Sequence, residues 1–186
     1  MMMMMLTVLR LKLRRAAKPV FKTVLSLLFA SLAFSSAAHA ERLDDSASPR
    51  NQVTAPPMVS EQGYPLDQFR PGSQPLIGVV KFGRGDYKLA TGTFVGKMAR
   101  IYYVIPAVIS GLRSPAGLQV EWRGSGLFAN GIARPGERKL VWSGVVRDAF
   151  MSEGLELTMK IELRELQTRA GQGLAFESYF DIELIP

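Results

Sequence analysis

The sequence contains no cysteine and only one histidine, His39, among its 186 residues. The lack of cysteine excludes a disulfide framework and a thiol nucleophile, and it removes the commonest ligands of structural zinc sites. A Ser-His-Asp triad would have to use His39 itself. The glycine-rich signatures of phosphate and dinucleotide sites are also missing, as is the G-x-S-x-G turn of hydrolases. These absences exclude much of nucleophilic, zinc-dependent and nucleotide-dependent catalysis.

Long apolar runs are missing as well. The run Thr23–Phe34 has about a dozen residues, whereas a helix needs about twenty to cross a bilayer. The richest later run, Ile101–Ile109, is interrupted by Pro106. We therefore predict no transmembrane segment in the mature chain.

Residues 1–40 have the pattern of an export signal. Basic residues precede the apolar run, and small residues follow it up to Ala38-His39-Ala40, an A-x-A cleavage site. We predict a Sec-type signal peptide with Ala38 and Ala40 at the cleavage site. The mature chain would begin at Glu41, contain no histidine, and be periplasmic, secreted or located at the cell surface. Without cysteine it has no residue for a lipid anchor.

Cleavage would also remove most of the net charge. The whole chain has 23 basic and 16 acidic residues. Residues 1–40 hold six of the basic residues and no acidic residue, which leaves 17 against 16 and a net charge of +1. A nearly neutral mature chain does not favour nucleic acid as a partner.

Residues 41–75 have the composition of a flexible linker or tail. Six prolines are scattered among Ser, Gln, Asn and Asp, and few apolar side chains are spaced to form a core. One short patch is apolar, and we predict that Tyr64, Leu66 and Phe69 dock onto the domain or onto a partner. The segment could also add a strand to a sheet, in cis or in a neighbouring copy, although its prolines disfavour most registers.

Residues 76–186 have the pattern of an all-β domain, with short apolar runs separated by glycine-containing breaks. In the run 155–163 apolar residues alternate with polar ones, and the run 174–184 repeats this pattern. We predict that these two runs form a long C-terminal hairpin whose last strand lies at a sheet edge. Asn130-Gly131 predicts a two-residue hairpin turn. The predicted fold is an antiparallel β-sandwich of seven or eight strands, immunoglobulin-like or similar.

The charges of this domain are unevenly distributed along the chain. Residues 81–147 hold eleven basic and three acidic residues, whereas residues 148–186 hold three basic and eight acidic ones. If the fold keeps these segments apart, the domain has a basic end and an acidic end. Such polarity would suit head-to-tail self-association or docking onto an anionic envelope polymer.

Two motifs offer specific functions. The glutamates near the C-terminal hairpin are candidates for the paired carboxylates that a glycosidase needs: Glu153, Glu156, Glu162 and Glu165. Alternation places two of them, Glu156 and Glu162, on a solvated face, so a mixed-charge surface explains them better. The tripeptide Arg84-Gly85-Asp86 spells an integrin-binding sequence and is predicted to lie in a turn between strands 76–82 and 87–95.

The function expected from these patterns is that of an exported, non-enzymatic binding or assembly module of the bacterial cell envelope. It would act through sheet edges and loops on an envelope protein or on a second copy of itself. We expect no catalytic residue, no cofactor and no metal. The alternatives are a fibre-forming subunit or adhesin, and a carboxylate-based enzyme that acts on an envelope glycan.

Overall fold

The computed structural model describes residues 40–49, 57–69, 76–167 and 177–186. The predicted signal segment up to residue 39, including Ala38, lies outside these residues. Residues 174–176, the start of the last predicted strand, also lie outside them. Ala40 is the first residue that the structure describes.

The described residues form two antiparallel sheets. Their nine strands are β1 (Ala40–Arg42), β2 (Val59–Ser60), β3 (Ile77–Ala90), β4 (Met98–Val104), β5 (Leu118–Gly124), β6 (Gly131–Ala133), β7 (Arg138–Val145), β8 (Phe150–Glu162) and β9 (Tyr179–Leu184). Sheet A has the strand order β1-β9-β4-β7, and sheet B has the order β2-β3-β8-β5-β6. The predicted all-β antiparallel sandwich is confirmed.

The helices of the described ranges are 3-10 turns of three residues each: Leu66–Gln68, Gly92–Phe94, Pro115–Gly117 and Leu163–Glu165. None of these turns has the length or the apolar character that crossing a membrane requires.

The core lies between the two sheets and is filled by their inward-facing side chains. Along β8 the alternation buries Leu155, Met159 and Ile161, and it places Glu156, Thr158 and Lys160 on the outer face. Aromatic rings join the sheets at the centre, where Tyr103 of β4 lies 4.9 Å from Trp122 of β5 between ring centroids. The period-two pattern therefore determines which side of each strand packs.

Tyr103 is a buried phenol whose hydroxyl shares a 2.6 Å hydrogen bond with the hydroxyl of Ser178. Burial raises the pKa of Tyr103 well above its ordinary value. The unfolded chain would ionise this phenol near pH 10, whereas the folded chain keeps it protonated, so we expect stability to fall as the pH rises above about 10. In Tyr103→Phe this part of the pH dependence disappears. Urea unfolding between neutral and alkaline pH tests the prediction, and an unchanged pH dependence in the variant would contradict it.

The predicted C-terminal hairpin is wrong. β8 pairs with β3 and β5 in sheet B, whereas β9 pairs with β1 and β4 in sheet A. The two strands belong to different sheets and share no hydrogen-bonded ladder. The reason is that alternation identifies the buried face of a strand but not its hydrogen-bonded neighbour. β9 is not an edge strand, because β1 covers one side of it and β4 the other; β1 supplies, within the chain, the added strand that was one expectation for residues 41–75.

The predicted Asn130-Gly131 turn is also wrong. The connection between β5 and β6 is longer, and Asn130 contributes its side chain, whose Oδ1 accepts the N–H of Gly124 at 2.8 Å. Gly131 begins β6 opposite Trp122, where a Cβ atom would overlap the indole ring. Glycine is needed here for the close approach of the two strands rather than for a turn.

The predicted strands 76–82 and 87–95 are joined in β3, which runs through an irregularity between Lys81 and Arg84. The Arg84-Gly85-Asp86 tripeptide therefore lies inside a strand, and its predicted position in a turn is wrong. The Nε atom of Arg84 is 2.8 Å from Oδ1 of Asp86. This internal ion pair ties together the two charged side chains of the tripeptide.

The predicted basic and acidic ends are not formed. The acidic strand β8 lies between β3 and β5, and β9 lies beside β4, so acidic strands pair directly with strands of the basic segment. Lys160 Nζ is 2.7 Å from Glu121 Oε1, and Arg138 Nε is 3.7 Å from Asp181 Oδ2. The segregation of charge along the chain is lost because sandwich strands interleave.

Two described parts of residues 41–75, the segment expected to be a flexible tail, belong to the sheets. β1 pairs with β9, and β2 pairs with β3. We name residues 40–48 the N-terminal strap. Its Leu43 N–H donates to the carbonyl of Phe180, and its Asp44 carbonyl accepts from the N–H of Ala90, both at 2.8 Å. The strap thus connects sheet A to sheet B. For these residues the expectation of a tail is corrected, because backbone pairing rather than an apolar period holds them.

Candidate functional site

Strand β7 is an edge of sheet A, since no described strand pairs with its outer side. At the end of β7 the N–H of Val146 donates to the carbonyl of Lys97 at 3.0 Å, and the carbonyl of Val146 accepts the N–H of Gly96 at 2.8 Å. The backbone groups of Val146 therefore point toward β4. Backbone direction alternates along a strand, so the N–H and C=O groups of Ser143 and Val145 point outward. These groups form an edge that can accept a further strand.

An apolar groove of about 400 Å³ lies beside this edge. We name it the β7 groove. Its lining consists of Leu127, Trp142, Gly144, Val145, Phe150 and Met151, with Arg147, Asp148 and Ser152 as polar members. Three of its apolar side chains are far more exposed than those of the core: Leu127 is 42% exposed, Val145 44% and Phe150 47%. Such apolar exposure beside a strand edge is typical of a binding surface.

A buried carboxylate, Glu153, holds the loop that brings Leu127 to the groove. Its side chain is on the inner face of β8 and only 4% exposed. It accepts the backbone N–H groups of Leu127 at 2.6 Å and Phe128 at 2.7 Å. It also accepts the N–H and the hydroxyl of Ser125 and the N–H of Gly154. One side chain therefore determines the backbone path of residues 125–128.

The hydrogen bonds decide the protonation of Glu153. Burial alone would raise its pKa, but the bonds from Ser125, Phe128 and Gly154 together outweigh burial and hold the pKa below its ordinary value. The group is an ionised acceptor at neutral pH, with both oxygens already engaged. It stabilises a loop and is poorly suited to donate a proton.

The other glutamates of the predicted carboxylate cluster lie apart from Glu153. Glu156 is exposed on the outer face of β8, opposite Arg84 and Arg123 of the neighbouring strands. Glu162 and Glu165, at the end of β8 and in the turn after it, both contact Arg164, at 2.6 and 3.5 Å. The cluster is thus divided between the inner face, the outer face and the end of one strand.

The predicted docking residues lie near β2, which is an edge strand of sheet B, whereas β7 is an edge strand of sheet A. Tyr64 follows a tight turn closed by the bond from Ser60 N–H to the Tyr64 carbonyl at 2.8 Å. Its side chain is 60% exposed, whereas Leu66 and Phe69 are half-buried. None of the three lines the β7 groove. Their docking role stays a prediction.

No group of three or more acidic side chains in the described ranges is arranged to hold a metal ion. Ala40, the described residue of the predicted cleavage site, lies in β1 opposite Glu183 of β9.

The sequence patterns did not predict the β7 groove, although one residue of β8 is an indication of the loop beside it. Glu153 occupies an inward position in an alternating strand, between Met151 and Leu155, where an apolar residue is expected. A carboxylate at such a position requires several donors nearby. The residues that supply them, 125–128, are distant in the chain, and nothing in their spacing indicates the pairing.

Comparison of the chain with protein-family models, with curated proteins and with solved structures finds no match.

Proposed function

We propose that the protein is an exported, non-enzymatic binding module of the bacterial cell envelope that binds an extended segment of a partner protein by strand addition at β7. The observation that carries the proposal is the outward-facing backbone of Ser143 and Val145 directly beside the β7 groove. Export is supported by the signal pattern of residues 1–40.

Strand addition explains why the edge and the groove occur together. Ser143 and Val145 offer two N–H donors and two C=O acceptors to an incoming strand, which supplies affinity that is independent of sequence. Alternate side chains of that strand would point toward the groove, where Phe150 and Leu127 offer apolar contacts. Selectivity would then come from apolar residues at every second position of the partner segment.

The part of β7 that is open to a partner is short. The carbonyl of Val141 already accepts the N–H of Ala129 at 2.8 Å. The basic residues Lys139 and Arg147 flank the uncharged stretch between them. A short open stretch with charged ends is how natural sheets restrict an edge to specific partners rather than to aggregation. The acceptor segment is therefore limited to residues 142–146.

A binding role is favoured over glycan hydrolysis by the positions of the carboxylates. A glycosidase needs two carboxyl groups that face each other across a sugar. Glu153 is engaged by five donors and lies on the inner face of β8, whereas Glu156 lies on the outer face. No described pair of glutamates in this cluster faces the β7 groove from two sides.

The test uses peptides selected from a random display library against residues 40–186. We expect selected peptides to alternate apolar and polar residues and to protect the amides of Ser143 and Val145 from hydrogen exchange. Val145→Lys should weaken binding about tenfold or more, because burial of that side chain contributes about 1.5–3 kcal/mol and 1.4 kcal/mol is tenfold. Affinity is measured by fluorescence anisotropy of a labelled peptide.

The matched control is Ile132→Lys, since Ile132 is a similarly exposed apolar residue on β6, at an edge of sheet B. This variant should bind the peptide normally. If the two substitutions weaken peptide binding equally, β7 is not the binding edge. The same conclusion follows if the peptide protects other amides from hydrogen exchange but not those of Ser143 and Val145.

A further inference from the structure

We propose that the N-terminal strap, residues 40–48, is exchanged between two copies of this chain, each strap pairing with β9 of the other copy. The exchange uses the side of β9 that the strap covers, and not β7, so it goes beyond peptide binding and does not depend on it. The partner is a second copy of the same chain, held by the contacts that the strap makes within one copy.

The strap is attached by a small set of backbone contacts. β1 pairs with β9 over three residues, with Ala40 opposite Glu183 and Arg42 opposite Asp181. On the side of sheet B, the N–H of Lys88 donates to the hydroxyl of Ser48 at 2.8 Å. Together with the bonds of Leu43 and Asp44, these contacts define a slot between β9 and the end of β3.

Only one strap side chain is buried. Leu43 is 3% exposed, whereas all three residues of β1 are exposed. Arg42 pairs with Glu177 at 3.0 Å and lies over the ring of Tyr179, but the Arg42–Glu177 pair is open to solvent and contributes little. An element held by one apolar anchor and a few exposed backbone bonds opens at a lower free energy than the whole domain.

Part of the strap borders an open cleft. This cleft, of about 300 Å³, lies where strap residues Asp45 and Ser48 meet the sheets. Its apolar walls include Phe82, Leu157 and Met159. At the cleft the strap has solvent beside it, so it has fewer close contacts to lose on detachment there.

A second copy is the occupant that the contacts favour. Its strap has the same sequence, so it reproduces the pairing with β9, the burial of Leu43 and the bonds to Lys88 and Ala90. Exchange of an identical element reproduces the contacts of the strap in each copy, which makes it a low-cost route to dimers. After cleavage at the predicted site, the strap is a chain terminus, so no other part of the fold has to unfold.

The test mixes two single-cysteine variants, Arg42→Cys and Asp181→Cys, in the mature chain. The natural sequence has no cysteine, so no other thiol competes. Positions 42 and 181 are directly opposite in the β1–β9 ladder, a geometry that suits a disulfide. Within one copy neither variant can form a 42–181 bridge. Exchange predicts a mixed covalent dimer after mild oxidation, at least about tenfold above the control mixture, and its amount increases with protein concentration.

The control mixture combines Arg123→Cys with Glu156→Cys, which are opposite in the β5–β8 ladder and belong to strands that are not exchanged. A third mixture adds Leu43→Ala to the Arg42→Cys chain, and the loss of the anchor should lower the yield of mixed dimer. Near-UV circular dichroism verifies that each variant is folded. A mixed dimer no more abundant than in the control, or a dominant bridge between two Arg42→Cys chains, would overturn the proposal.

Discussion

Glu153→Gln is expected to lower the free energy of unfolding by about 3 kcal/mol or more, a large part of the stability of a domain of this size. The carboxylate accepts from the backbone of Ser125, Leu127, Phe128 and Gly154 and from the Ser125 hydroxyl. A glutamine has one acceptor oxygen, and its NH₂ group would face N–H donors. At least one buried donor would lose its partner, which costs about 1–3 kcal/mol, and the remaining bonds would lose their charge assistance. Urea unfolding of residues 40–186 measures the change.

The matched control for this substitution is three residues further along the same strand. Glu156 is exposed on the outer face of β8, so Glu156→Gln should change stability by no more than about 0.5 kcal/mol. Similar losses for the two variants would contradict the role of Glu153 as the organiser of the loop.

The pH dependence of stability provides a second readout for Glu153. Its pKa is lowered in the folded state, so its stabilisation is complete above the unfolded pKa of about 4.3 and is lost as the pH falls through the folded pKa. The Glu153→Gln variant lacks this component and should lose less stability than the natural protein between neutral and acidic pH. An identical acid dependence in both proteins would be incompatible with a folded-state carboxylate that is ionised.

Phe180→Ala is expected to cost about 3–5 kcal/mol, the range for removing a buried aromatic side chain. Phe180 is 1% exposed and lies at the centre of the core. Its ring centroid is 5.2 Å from Tyr87, 5.0 Å from Tyr103 and 5.5 Å from Phe128, so it contacts aromatic rings from both sheets. Because the close-packed core can collapse only partly around the cavity, most of the lost contact energy is not recovered. Thermal and urea unfolding measure the loss.

Phe150→Ala is the control for Phe180→Ala, because it deletes the same side chain at a site that is 47% exposed. It should cost clearly less stability. As a lining residue of the β7 groove, Phe150 should instead weaken peptide binding when it is removed. If the two substitutions lowered the free energy of unfolding equally, the aromatic rings at the centre of the core would stabilise the fold no more than an exposed ring does.

The fold class was predictable because alternation is a local property. Leu155, Met159 and Ile161 are inward in the structure, as the period of two requires, and the strand β8 extends this pattern back to Met151. Each inward position needs only its own neighbours in the chain to be recognised.

Strand partners were not predictable in the same way. β8 and β9 follow each other among the strands and have matching patterns, yet they belong to different sheets. A strand with one apolar face fits equally well beside a neighbour in its own sheet or across the core from one. Partner choice depends on the combined packing of all strands, and no single segment contains that information.

The candidate site depends on contacts that span long stretches of the chain. Leu127 reaches the β7 groove because Glu153, 26 residues away, holds its N–H. The strap is ordered against Phe180 and Ala90, although its own composition resembles a linker. Neither contact has a periodic signature, because backbone hydrogen bonds are available to every residue type.

By itself, the sequence determined the signal-like pattern of residues 1–40, the near-neutral charge of residues 41–186, the lack of thiol chemistry and the inward side of each long strand. These properties depend on composition or on neighbours within a few residues. The tertiary structure alone decided that acidic strands lie among basic ones, that β7 rather than β9 is an open edge, and that Glu153 is a buried acceptor. Those outcomes are set by the free energy of the whole packed sandwich, in which each strand's neighbours are chosen together.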